Sequence, residues 1–164
     1  MTEYLYHVDK EDNVIDKVER NHAHSNKLLH RSGVVLVFDS KQNICLAIRS
    51  PLKEIFPSCI DSVCSFHVKY GQTYLEAVKE ELFEETGIKA KPEYLGKFLL
   101  DEDPDHMIVA VFSTVTDERL KLDPEEAISH TFYDSDKADE LIKNEKTTSW
   151  LPEAWDLYKK KPNP

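Results

Sequence analysis

"HVKYGQTYLEAVKEELFEETGI", residues 67–88, decides the fold. Its middle has the period of a helix. Thr73 followed by Glu76 is a capping box: the hydroxyl accepts from a first-turn amide while the glutamate reaches back to the cap. Gly87 stands where a left-handed C-cap residue is wanted. Between them Leu75, Val78 and Leu82 fall at i, i+3 and i+7 and predict one apolar stripe toward a sheet. On another side Glu81, Glu84 and Glu85 fall at i, i+3 and i+4, with no basic residue of the helix placed to answer them. Like charges at these spacings cost a few tenths of a kcal/mol per pair, roughly, in an exposed helix. Spacing alone therefore leaves two readings open, a solvated acidic face and a set of carboxylate ligands for a hard cation such as Mg²⁺.

On either side of this helix the chain reads mostly as strands. "EYLYHVD" (3–9) and "NVIDKVER" (13–20) alternate apolar and polar residues and form a hairpin. A polar connector, "RNHAHSNKLLHR" (20–31), brings His22, His24 and His30. "GVVLVFDS" (33–40) is a near-continuous β-branched run, the pattern of a strand covered on both faces. "ICLAIRS" (44–50) returns after a turn, "PLKEIFPSC" (51–59) is a loop, and "DSVCSFHV" (61–68) is extended. Beyond the helix, "YLGKFLL" (94–100) and "MIVAVFSTV" (107–115) are strands around the acidic loop "DEDPDH" (101–106). "SHTFYD" (129–134) is a short strand, and 135–145 and 150–161 are helices. Strands with interspersed helices argue an α/β chain in which helices cover a mixed sheet. One domain over 1–164 is expected, with a hairpin and connector at 1–31, a core at 32–145, and a C-terminal helix and tail at 146–164.

Composition restricts the partners. The chain has 31 Asp plus Glu against 21 Lys plus Arg, a formal net charge of −10, which repels phosphate backbones and argues against nucleic acid. Cys45, Cys59 and Cys64 match neither a disulfide framework nor a zinc spacing, as expected in a reducing compartment. No signal peptide and no apolar run of about 20 residues is visible, so a cytoplasmic protein without a membrane is the simplest expectation. The N-terminal hairpin offers an edge on which a homodimer could form.

The stretch "GQT...EAVKEELFEETGI" resembles the Nudix box of the MutT-like Nudix hydrolase superfamily, G-x5-E-x7-R-E-U-x-E-E-x-G-U with U a bulky apolar residue. Glu81, Leu82, Glu84, Glu85, Gly87 and Ile88 each fall in place. The context over roughly residues 3–135, with "VVLVFDSKQNICLAIRS" and Pro57, Asp61 and His67, is similar to the subgroup related to isopentenyl-diphosphate isomerase. The resemblance implies an α/β/α sandwich. It implies Mg²⁺ or Mn²⁺ held by Glu81, Glu84 and Glu85, and cleavage of a diphosphate linkage in a small metabolite. By it, Glu81 and Glu84 carry catalysis with Gln72 orienting water, while Arg49, Lys53 and His67 meet the substrate.

The box is degenerate. Phe66 stands for the first glycine, Gln72 for the first glutamate, and Glu80 for the arginine that pairs with the glutamates. Gln72 keeps hydrogen-bonding capacity without charge. Glu80 turns a positive charge into a negative one, which Lys69 or Lys79 would have to answer; restoring arginine at 80 is expected to raise activity. Two readings survive, a metal-dependent hydrolase and a binding or regulatory module that has kept only the fold.

The isomerase reading is weaker. That enzyme has a cysteine one residue removed from a histidine, whereas Cys64 and His67 are separated by two. It also needs a glutamate pair where this chain has Asp105 and Met107. His24, His30 and His67 lie near the spacing of its metal ligands, against the plainer reading of loop and core histidines.

Overall fold

The computed structural model describes residues 1–161; the end of the "KKKPNP" tail, 162–164, lies outside them. The strands are β1 (Tyr4–Val8), β2 (Val14–Glu19), β3 (His30–Phe38), β4 (Ile44–Arg49), β5 (Ile60–Ser62), β6 (Cys64–His67), β7 (Glu93–Glu102), β8 (Asp105–Val115) and β9 (Ala127–Tyr133). The helices are α1 (Arg20–Ser25), α2 (Tyr74–Thr86), α3 (Ser135–Asn144) and α4 (Leu151–Lys159).

β3 is the axis of the sheet. It pairs antiparallel with β1, β4 and β6 and parallel with β8, which makes the sheet mixed. Its side chains alternate between two cores. Val34, Leu36 and Phe38 face α3 and α4, among Ala138, Leu151, Ala154 and Trp155. Val35 and Val37 face α2, among Ala77, Val78 and Leu82. A strand covered on both faces has no polar side to spare, which is why its sequence is an unbroken apolar run. Helices on both faces give the expected α/β/α sandwich. Trp150 and Trp155 belong to the core on the α3 and α4 side.

The α2 boundaries are those of the sequence. Thr73 and Glu76 close both halves of the capping box, and Gly87 ends the helix at φ +75°. The buried stripe differs from expectation at one end. Leu75 is 48 % exposed, and Ala77 with Val78 and Leu82 carries the contact instead. With 100° per residue, the stripe that meets the sheet centres on 78 and 82 and continues through Glu85 and Thr86, both buried. The polar connector also holds a short helix, α1, anchored by fully buried Ala23.

Candidate active site

Three strand ends meet beside α1 and α2. β3 begins at His30, β6 ends at His67, and β8 runs parallel to β3 with His30 opposite Met107 and Ser32 opposite Val109. α1 lays His24 over that edge and α2 adds its acidic face. Between them is a cavity of about 740 Å³, bordered by His24, His67, Lys53, Lys69, Glu81, Glu85, Asp105 and Glu126 among others.

The glutamates of α2 divide. Carboxylate oxygens of Glu80, Glu81 and Glu84 lie within 4.8 Å of one another, whereas Glu85 points to the buried side. The trio that converges is therefore Glu80, Glu81 and Glu84 rather than Glu81, Glu84 and Glu85. Burial pushes the Glu85 carboxyl well above the usual carboxylate range, and Glu126 and Glu81 add to the rise. The neighbouring Cys64 thiol opposes that rise. Burial raises Glu81 too, against the opposing effect of Lys69. Glu84 is exposed.

The cation that answers the helix comes from the preceding turn. Lys69 Nζ is 2.7 Å from Glu80 Oε1 and 2.9 Å from Glu81 Oε1. Gln72 is drawn into the same arrangement: its Nε2 donates to Glu80 Oε2 at 2.9 Å, and its Oε1 accepts from the Lys69 amide at 3.2 Å. The Gln72 amide is thus engaged in holding Glu80, and the residue borders a separate, smaller cavity.

The histidines form the second cluster. His24, His30 and His67 each offer a ring nitrogen within 4.8 Å of the others, and their ring centroids are 4.8–5.1 Å apart. Burial lowers the pKa of all three, that of His30 to about 4 and that of His67 well below its usual value. Neutral rings keep a lone pair free for a ligand. His30 donates through Nδ1–H to the Leu28 carbonyl, 2.9 Å away, which leaves Nε2 as the lone-pair nitrogen, buried and without a hydrogen-bond partner among the described residues. An orphaned buried ring nitrogen costs free energy unless something outside the protein meets it. Three convergent neutral imidazoles with such an atom fit a divalent cation; the outer carboxylates also fit one, in competition with Lys69.

Arg49 is no free phosphate ligand. It is 6 % exposed, with Nη1 3.1 Å from Asp61 Oδ2 and with bonds to the Ile55 and Phe56 carbonyls. A guanidinium ending a buried strand needs such partners, and Asp61 supplies the charge. Asp61 also accepts from Trp150 Nε1 at 2.9 Å, Thr148 Oγ1 at 3.1 Å and the Ser62 amide at 2.7 Å. Lys53 faces the cavity and pairs with Glu126 at 2.7 Å. Glu126 went unnoticed in the sequence, where "PEE" before a strand reads as one more acidic loop.

The isomerase geometry is absent where it was doubted. Cys64 is 1 % exposed and packed under α2, and burial holds its thiol well above the usual range. On the alternating strand β6 it is Ser65 that borders the cavity, with its hydroxyl donating to Asp61.

The family model described as NUDIX domain matches residues 28–153. An isopentenyl-diphosphate Delta-isomerase of Serratia proteamaculans is 30 % identical, over 92 % of this chain and 88 % of its own length. An uncharacterised Nudix hydrolase of Pseudomonas aeruginosa is 31 % identical, over 76 % of this chain and 74 % of its own. Among solved structures, DR0079 from Deinococcus radiodurans superposes with a TM-score of 0.80 at 19 % identity, over 96 % of this chain and 98 % of that one. A MutT protein from Methanosarcina mazei gives 0.67 at 22 % identity, over 81 % and 96 %.

Proposed function

The chain belongs to the NUDIX domain family, and we propose that it hydrolyses a diphosphate linkage in a small metabolite, a nucleoside diphosphate joined to another moiety, with Mg²⁺ or Mn²⁺. The observation that carries this reading is the cavity itself, lined by the carboxylates Glu81, Glu85 and Glu126 and by the cations Arg20 and Lys53, the latter paired with Glu126. Carboxylates alone would repel a diphosphate; carboxylates that hold a cation, next to basic side chains, attract one.

Glu81 and Glu85, with Glu126 acting on Glu85, would hold the ion at the cavity; Glu84 converges with Glu80 and Glu81 outside it. When bound, the ion supplies charge for the diphosphate oxygens and acidifies a water. The chain's own residues do the rest. Lys53 draws the substrate in, at the expense of its pair with Glu126. Burial raises the Glu85 carboxyl, so an ion held there would compete with a proton for it. Arg49 acts only through Asp61, fixing the wall against which the substrate lies. His24 and His67, which border the cavity, favour a second cation together with His30 behind them, whose unmet Nε2 supports a ligand there.

Isomerisation of isopentenyl diphosphate is disfavoured, because Cys64 is turned into the core and Met107 can neither accept nor deliver a proton. A binding module without catalysis is separated by assay. Nucleoside diphosphate derivatives, dinucleoside polyphosphates and isoprenyl diphosphates are incubated with and without Mn²⁺. Metal-dependent phosphate or nucleotide release is expected, at least 100-fold slower in Glu81→Gln. Cation binding without turnover of any class would leave the binding module; no binding of either ion at millimolar concentration would end the metal reading.

A further inference from the structure

Lys69 and Gln72 are the two ends of a tight turn, with the Gln72 amide donating to the Lys69 carbonyl at 3.0 Å and Gly71 between them at φ +98°. The turn is fixed to the sheet as well: Lys69 bridges to Leu5, and the Gly71 amide donates to Tyr6 Oη at 2.9 Å. From this base the Lys69 side chain crosses to α2 and lies between Glu80 and Glu81. The contacts close a ring, from the Lys69 amide to the Gln72 side chain, on to Glu80, and back to the Lys69 ammonium.

Glu81 is the only member of the pair that also borders the large cavity. It is 15 % exposed against 41 % for Glu80. Burial works against the Lys69 charge, yet its bonds to the two carboxylates raise its pKa, so it stays an ammonium. A divalent cation that uses Glu81 must therefore take the carboxylate from a cation already on it.

We propose that Lys69 is a tethered counter-ion of the acidic helix: it holds Glu81 until a divalent cation takes that carboxylate, and Glu80, steadied by Gln72, keeps the displaced ammonium in place. This rests on the metal-binding reading of the site. It gives the reversed charge at position 80 a role. A basic residue there would leave Lys69 nowhere to go when Glu81 is taken; an acid there is its second seat. Lys69 is thus a positioning residue, acting on the cation through Glu81.

The test uses Mn²⁺ alone, with free ion followed by electron paramagnetic resonance. Only the bound fraction that excess Mg²⁺ displaces is counted, because Mg²⁺ prefers oxygen ligands and leaves ions on imidazoles in place. Lys69→Met and Lys69→Gln are expected to tighten this binding about fivefold, the scale of one exposed ion pair. Lys69→Arg stays within twofold of wild type, as does Lys79→Met, which removes a charge from the same helix without touching Glu81. Glu80→Gln is expected to weaken binding about fivefold in the wild-type background, where Lys69 is left with Glu81 alone, and less than twofold on top of Lys69→Met. Circular dichroism confirms that each variant is folded. Unchanged or weaker binding in both Lys69 variants overturns the proposal, and so does an equal effect of Glu80→Gln in the two backgrounds. Either result leaves the metal site itself standing. Absence of Mg²⁺-displaceable Mn²⁺ in every protein overturns both.

Discussion

Replacing Phe66 by the glycine that the box pattern calls for should damage this protein, and the size of the damage follows from its neighbour across the sheet. Phe66 pairs with Gly33 in the β3–β6 ladder, and it is 5 % exposed. A Cβ added to Gly33 would lie 2.4 Å from Phe66 Cζ and 2.7 Å from Cε2, inside the contact distance of carbon atoms. The ring thus occupies the space over Gly33, and each residue is the condition for the other. Phe66→Ala is expected to cost about 3–5 kcal/mol, the range for truncating a buried aromatic side chain. Gly33→Ala forces the ring aside and is expected to cost about 1–3 kcal/mol by overpacking. In the double variant the added methyl enters space that the ring has vacated, so the second substitution should cost nothing or gain a few tenths of a kcal/mol, roughly, from the stiffer unfolded chain. Urea unfolding of the four proteins measures the cycle. A coupling of about 2 kcal/mol is expected; additivity within about 0.5 kcal/mol would show that the two sites do not share this space and would refute the reasoning.

Two further outcomes follow from buried charge. In protein freed of metal by chelation, the histidine contribution to stability should fall as pH drops from about 6.5 toward 4, because the unfolded histidines take up protons that the buried ones refuse. His30, lowered to about 4, would contribute about 3 kcal/mol over that window and His67 acts in the same direction, while the raised Glu85 carboxyl acts in the opposite one; an equal change of stability between pH 7 and pH 5 in wild type and His30→Gln, by urea unfolding, would contradict the burial of His30 as a neutral ring. Asp61→Asn should cost about 3–5 kcal/mol by leaving Arg49 buried without its carboxylate, measured by thermal unfolding, and a loss under about 1 kcal/mol would mean that the Ile55 and Phe56 carbonyls suffice.

The sequence was most legible where local chemistry and tertiary structure agree. The capping box at Thr73 and the glycine at 87 are backbone demands that only a few residues meet, and both stand in the structure as read. The β-branched run of β3 announced a strand with two covered faces for the same reason. Leu75 shows the limit: periodicity marks a face but not how far along the helix the sheet extends, and Leu75 lies one turn beyond the contact. Arg49 and Glu126 show a second limit. Whether a charged side chain at a strand end is free or spoken for depends on Asp61 and Lys53, which other segments of the chain deliver, and no spacing rule connects them.

Position 80 is where the same limit bears on chemistry. Taken alone, a glutamate in place of an arginine turns one unit of positive charge into one of negative charge, and restoring the arginine promises more activity. In the fold, the compensating cation arrives from a turn eleven residues earlier, and Glu80 is already bonded to it on one oxygen and to Gln72 on the other. The three departures near the box are thereby no longer independent losses. Phe66 fills the gap over Gly33, and Gln72 and Glu80 together seat Lys69. An arginine introduced at 80 would set a guanidinium against the Lys69 ammonium, and the repulsion would drive Lys69 more firmly onto Glu81. Arginine alone at this position would then make the acidic helix a poorer cation site, and only together with the loss of Lys69 would it return the charge balance that the box pattern describes.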